Sequence, residues 1–114
     1  MTTPPLPQKE GAALSDFAHR VRTALGDQLV ELRLFGSRAR GDAGPGSDID
    51  VLVIVNAKSE RWRLATAVSD VAFDVNLDHD VFISPVIVSE TVLRDPIWRE
   101  TPFARSAYGN GVAL

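Results

Sequence analysis

Apolar residues recur at helical spacing from Ala12 to Leu25. Leu14, Phe17, Ala18, Val21 and Leu25 mark one face, and Asp16, Arg20 and Arg22 fall between them. The spacing predicts an amphipathic helix, with Gly26 as its C-terminal stop. The pattern then changes to period two. Val30, Leu32 and Leu34 alternate with Glu31 and Arg33, which predicts a strand running into Gly36-Ser37. Arg38 to Ser47 holds three glycines, a proline and two arginines and reads as a loop. From Asp48 to Val55 the chain is almost wholly apolar after its two aspartates, the signature of a short strand buried on both faces.

Helical spacing returns from Ser59 to about Leu77. Leu64, Ala65, Val68, Val71, Ala72 and Val75 form the stripe, and Ser59 is placed to cap it. Val81 to Val88 reads as a strand interrupted by Ser84-Pro85, and proline there predicts an edge position or a bulge. Ser89 is placed to cap a short turn or helix containing Val92 and Leu93. Thr101-Pro102 opens a last helix that Gly109 or Gly111 ends.

The order is helix, strand, strand, helix, strand, helix. The loop joining the first two strands is too short for a helical crossover, so they are expected to pair antiparallel. The expected fold class is α+β, a small mixed β-sheet with helices packed on it. Residues 1–10 are polar with three prolines and read as a flexible tail, leaving residues 11–114 as one domain.

A chain of 114 residues with 45% hydrophobic content builds one modest core. A deep substrate pocket is expected to need a partner chain. The net charge of -3 argues against a strongly basic nucleic-acid binder, although a nucleic-acid acceptor stays open. The absence of cysteine removes disulfides, thiolate metal sites and thiol nucleophiles. No apolar run approaches the roughly 20 residues needed to span a bilayer, and the N-terminus has no signal-peptide core. A cytoplasmic protein is the expectation.

The chemistry gathers between Leu34 and Val51. Asp48 and Asp50 are two apart at a strand start, so both carboxylates project from one face while Ile49 enters the other. Carboxylates this close repel unless a cation lies between them. Mg²⁺ meets that need, commonly with one or two carboxylates plus substrate phosphates, and two such ions can clamp an in-line displacement. Gly36 allows close backbone approach, and its amide with the Ser37 hydroxyl can hold phosphate oxygens. Arg38 and Arg40 add fixed cations suited to a triphosphate. His19 and His79 have no ligand spacing. Trp62 and Trp98 are expected to pack in the core, with a partner interface as the alternative for either.

The segment Phe35-Gly36-Ser37-Arg38-Ala39-Arg40-Gly41, followed after the loop by Ser47-Asp48-Ile49-Asp50, resembles the signature of the DNA polymerase β-like nucleotidyltransferase superfamily, most closely its minimal nucleotidyltransferase branch. The resemblance implies transfer of a nucleoside monophosphate, usually from ATP, to a hydroxyl acceptor with release of pyrophosphate. It assigns Gly36 and Ser37 to phosphate and Asp48 and Asp50 to Mg²⁺. It implies a small helical partner of the HEPN type, in a toxin-antitoxin pair whose partner is modified; a homo-oligomer is also open. It further implies a third carboxylate on a later strand that activates the acceptor. Asp80, at the start of the third strand, is the candidate, and Ser84 or Pro85 is the alternative occupant of that position. Without that carboxylate the chain would serve as an antitoxin-like binding subunit of weak or no activity.

Overall fold

The computed structural model describes residues 8–36 and 48–114. The first helix, α1, spans Gln8–Leu25, and a 3-10 turn at Gly26–Gln28 leads into strand β1, Leu29–Phe35. Strand β2 is Ile49–Val55, helix α2 is Arg61–His79 and strand β3 is Ile83–Ser89. A 3-10 turn at Glu90–Arg94 precedes the short helices α3, Pro96–Arg99, and α4, Pro102–Arg105. A π-turn at Ser106–Asn110 and strand β4, Val112–Ala113, complete the chain.

The four strands form one mixed sheet in the order β3-β2-β1-β4. Strands β1 and β2 are antiparallel, as the short loop requires, and β2 and β3 are parallel because α2 carries the chain back between them. Pro85 lies on β3, which forms one edge, so its missing amide costs no ladder bond inside the sheet. Strand β2 lies between neighbours and is buried on both faces, which explains its unbroken apolar run.

Alternation along β2 divides the core. Ile49, Val51, Val53 and Val55 face α1 and α2, meeting Phe17, Val21, Leu64, Val68 and Val75. Leu52 and Ile54 point the other way, with Phe35 and Ala107 and the flanking Val86, Val88 and Phe103. Asp50 belongs to this second set by the same period, so its carboxylate is directed away from the α1 and α2 layer.

Four departures from the sequence pattern have local causes. Helix α1 begins at Gln8 rather than Ala12, because its polar first turn is used: Glu10 is buried and Lys9 Nζ pairs with Asp80 at 3.1 Å. The β1–β2 register shifts between Leu29 and Glu31, and this bulge turns Val30 out of the apolar face expected for it, leaving it 47% exposed. Helix α2 starts at Arg61, and its N-cap Glu60 makes no side-chain cap bond, so Ser59 does not cap it. Trp62 is exposed on the outer side of α2 rather than packed in the core. Trp98 is half-buried outside both core clusters, edge-on to Phe103 at 6.1 Å. The capping signals at Ser89 and Thr101 hold, with Thr101 Oγ1 accepting from Ala104 N at 3.1 Å. Among the described residues, no helix is long and apolar enough to cross a membrane.

The α1–α2 contact carries a polar clasp. His79 Nε2 lies 2.9 Å from Asp16 Oδ2, and Arg20 joins Asp16 at 2.9 Å and Asp78 at 3.0 Å. Hydrogen bonds from His79 first and Arg20 second hold the Asp16 carboxyl below its usual value of 3.8. A carboxylate lowered in the folded state stabilises it above the unfolded value and loses that contribution as pH falls through the folded value. Asp16→Asn is therefore expected to reduce stability at pH 5, with the difference from wild type closing below about pH 3.8. Urea unfolding at both pH values checks this.

Candidate active site

The end of β1 and the start of β2 meet at one edge of the molecule, with Phe35 opposite Asp50 in the antiparallel register. Gly36 follows with φ of +75°, a conformation that side chains with a Cβ adopt at a cost. Space is restricted as well as angle. A Cβ on Gly36 would overlap Asp50 Oδ2 and lie 3.2 Å from its Cγ, so the Asp50 carboxylate rests against the bare Cα of the turn. Glycine is thus required twice, by its dihedral and by its neighbour. Asp48 is exposed one residue before β2. Ser37, Arg38 and Arg40 lie outside the described residues.

The C-terminal segment reaches this corner from the far end of the sequence. The Gly36 amide donates to Ser106 Oγ at 3.2 Å. Arg33 fixes that segment to β1: its Nε donates to the Ala107 carbonyl at 2.9 Å and its Nη2 to the Gly111 carbonyl at 3.1 Å. The same guanidinium lies 4.5 Å from the centre of the Tyr108 ring, whose hydroxyl donates to Glu31 Oε2 at 2.9 Å. Burial, and then the Glu31 hydrogen bond, push the Tyr108 phenol up to about 12. A groove of about 660 Å³ runs along this segment, walled by Leu93, Trp98, Arg99, Ala104, Arg105 and Tyr108. Nothing local in the sequence announced these contacts, because each joins positions about seventy residues or more apart.

The third strand presents a hydroxyl where a carboxylate was sought. Ser84 is the register partner of Asp50 across the parallel β2–β3 pair, so the two share a face. Asn76 of α2 fixes this end of β3, its Oδ1 accepting from Ile83 N at 2.8 Å and its Nδ2 donating to Ile83 O at 3.2 Å. Asp80 is elsewhere. It caps α2 in the left-handed conformation, its side chain is 94% exposed, and it turns toward Lys9 in the helix layer. The structure therefore brings together Gly36, Asp50, Ser84 and Ser106 but does not bring Asp80 to them. Among the described residues, no group of three or more His, Cys, Asp or Glu side chains converges for a metal ion. The exposed Asp48 and Asp50, which rests against Gly36, remain as hard oxygen donors, a pair that suits Mg²⁺ when phosphates complete the shell.

Comparison with known proteins identifies the family and the fold. The family profile described as nucleotidyltransferase domain matches residues 14–108, and the chain belongs to that family of transferases. A relative from Methanocaldococcus jannaschii, provisionally named a protein adenylyltransferase, is 34% identical over 79 residues, covering 69% of this chain and 79% of the relative. A second from the same organism, named likewise, is 34% identical over 76 residues, covering 66% of this chain and 52% of its own length. Among solved structures, a provisionally assigned nucleotidyltransferase from Sulfolobus solfataricus superimposes with a TM-score of 0.57 at 18% identity, covering 96% of this chain and 87% of that one. A toxin-antitoxin crystal structure with AMP-PNP superimposes with a TM-score of 0.53 at 20% identity, covering 94% of this chain and 72% of that chain. At these identities the two structures establish the shared fold.

Proposed function

We propose that this chain transfers AMP from ATP onto a hydroxyl of a partner protein, releasing pyrophosphate. The observation that carries the reading is the Asp50 carboxylate seated against Gly36, a hard oxygen donor of the kind a metal ion takes, beside a turn suited to phosphate. The names of the curated relatives support a protein acceptor, and the toxin-antitoxin neighbours support a partner chain. The family resemblance makes that partner a small helical protein of the HEPN type. The groove walled by Trp98 and Tyr108 flanks the segment that bonds Gly36 and gives the partner a place to dock.

In this reading the acceptor oxygen bonds to the α-phosphorus of ATP, the bond to the bridging oxygen of the β-phosphate breaks, and pyrophosphate leaves with the electron pair. The acceptor proton passes to solvent or to a base of the partner. Ser37 and the turn at Gly36 hold the triphosphate, the Gly36 amide itself being engaged by Ser106 Oγ, and Arg38 and Arg40 offset its charge. Asp48 and Asp50 would hold Mg²⁺, probed as one ion or two, which supplies Lewis-acid stabilisation of the phosphoryl oxygens when bound. Ser84 takes the strand position facing Asp50, and Asp80 acts as a helix cap that pairs with Lys9 rather than as the acceptor's base.

Two labels test the reaction. With Mg²⁺ and a candidate partner, label from the α-phosphate of ATP is expected to enter the partner, and label from the γ-phosphate is expected to leave as pyrophosphate. Entry of γ-label instead, or α-label entry unchanged by a chelator, overturns the proposal.

Ser84 favours a second reading. A site without a third carboxylate can act as an antitoxin-like subunit that neutralises its partner by binding. Losing a general base typically slows a reaction about 10²- to 10⁴-fold. Co-expression separates the two: if Asp48→Ala with Asp50→Ala still neutralises the partner, binding suffices.

A further inference from the structure

The outer face of α2 carries an apolar stripe that the fold does not cover. Trp62, Phe73 and Leu77 are 68%, 64% and 69% exposed. At about 100° per residue they fall within about 60° of one another, opposite the buried Leu64, Val68, Ala72 and Val75. The exposed Thr66 between them is small enough to let another helix approach.

The charges beside the stripe identify what it fits. Along one flank, Arg63 stands near the N-terminal end of α2, and Asp70 and Asp74 stand further along. The Arg63 guanidinium lies 5.7 Å from the Trp62 ring centre, and its pair with Glu60 is exposed at 3.4 Å and easily exchanged. Asp70 and Asp74 have no ion-pair partner among the described residues. When two such helices lie antiparallel about a two-fold axis, like flanks face each other. Arg63 of each copy then meets Asp70 and Asp74 of the other, and Trp62 packs beside Phe73 and Leu77. Parallel pairing turns the two charged flanks to opposite sides of the pair and forms none of these cross pairs. A partner of uniform charge satisfies one end of the flank and is repelled at the other. The pattern is complementary to itself.

We propose that two copies of this chain pair through the outer face of α2, antiparallel about a two-fold axis. The pairing surface lies on the helix side of the sheet, and Asp50 is directed to the other side, so both candidate active sites stay open to nucleotide and acceptor.

Sedimentation equilibrium of the full chain over a wide concentration range tests this. A monomer–dimer equilibrium is expected. Arg63→Asp and Asp74→Arg are each expected to weaken it about tenfold or more, and the double variant is expected to recover part of that loss, since the swap re-forms the two 63–74 pairs while Asp70 is left facing a negative charge. Phe73→Glu is expected to leave a monomer whose circular dichroism matches wild type, because Phe73 contributes nothing to the core. A monomer at every concentration, a dimer insensitive to Phe73→Glu, or a double variant no tighter than either single variant overturns the proposal.

Discussion

Asp50→Asn is expected to lower nucleotidyl transfer by roughly 10³-fold, about the several kcal/mol that a bound metal's charge supplies to a phosphoryl reaction. The substitution keeps the shape of the side chain against Gly36 and removes the negative charge. Its effect on folding is therefore expected to be small, with the thermal midpoint close to wild type. Asp48→Asn is expected to act in the same direction, since it removes the other hard oxygen donor from the same corner. Single-turnover transfer from α-labelled ATP, measured beside a thermal melt, makes the check. Transfer within threefold of wild type in a folded Asp50→Asn protein removes Asp50 from the metal site.

Gly36→Ala is expected to lower transfer by about 10²-fold and stability by about 1–3 kcal/mol. The stability loss has two sources. Alanine at a φ of +75° is strained, and its methyl group would overlap the Asp50 carboxylate. The carboxylate must move, and a displacement near 1 Å at a reacting centre is enough for the loss of rate. Gly26 provides the control. It has a φ of +54°, and a Cβ added there meets nothing within 4 Å. Gly26→Ala is expected to carry the backbone strain and leave transfer intact. Equal activity in the two variants would show that the contact with Asp50 does not position it for chemistry.

The difference between these two glycines also marks the limit of the sequence. Gly26 could be read as a helix stop because a stop is a local device, and the need for a positive φ follows from the end of α1. Gly36 could be read as part of a phosphate turn, but its second constraint comes from Asp50, which reaches it only through strand pairing. Strand β4 shows the same limit from another side. Two residues carry no period, and Val112 and Ala113 become a strand because β1 offers an open edge. Trp62 was expected inside because its helix has an apolar stripe, yet its angle places it on the opposite face of that helix.

The sequence by itself determined α1, α2, the first three strands and the two-aspartate motif, because these follow from periods of 2 and 3.6 that act over a few neighbouring residues. It also determined the antiparallel β1–β2 pair, through the length of the intervening loop. Only the tertiary structure decided that Asp50 rests on Gly36, that Ser84 faces it across the parallel pair, that Asp80 turns to Lys9, and that Ser106 reaches the turn from the C-terminal segment. These are relations between residues far apart in the chain. They are fixed by register and by which face of the sheet each segment covers, and no local spacing encodes either one.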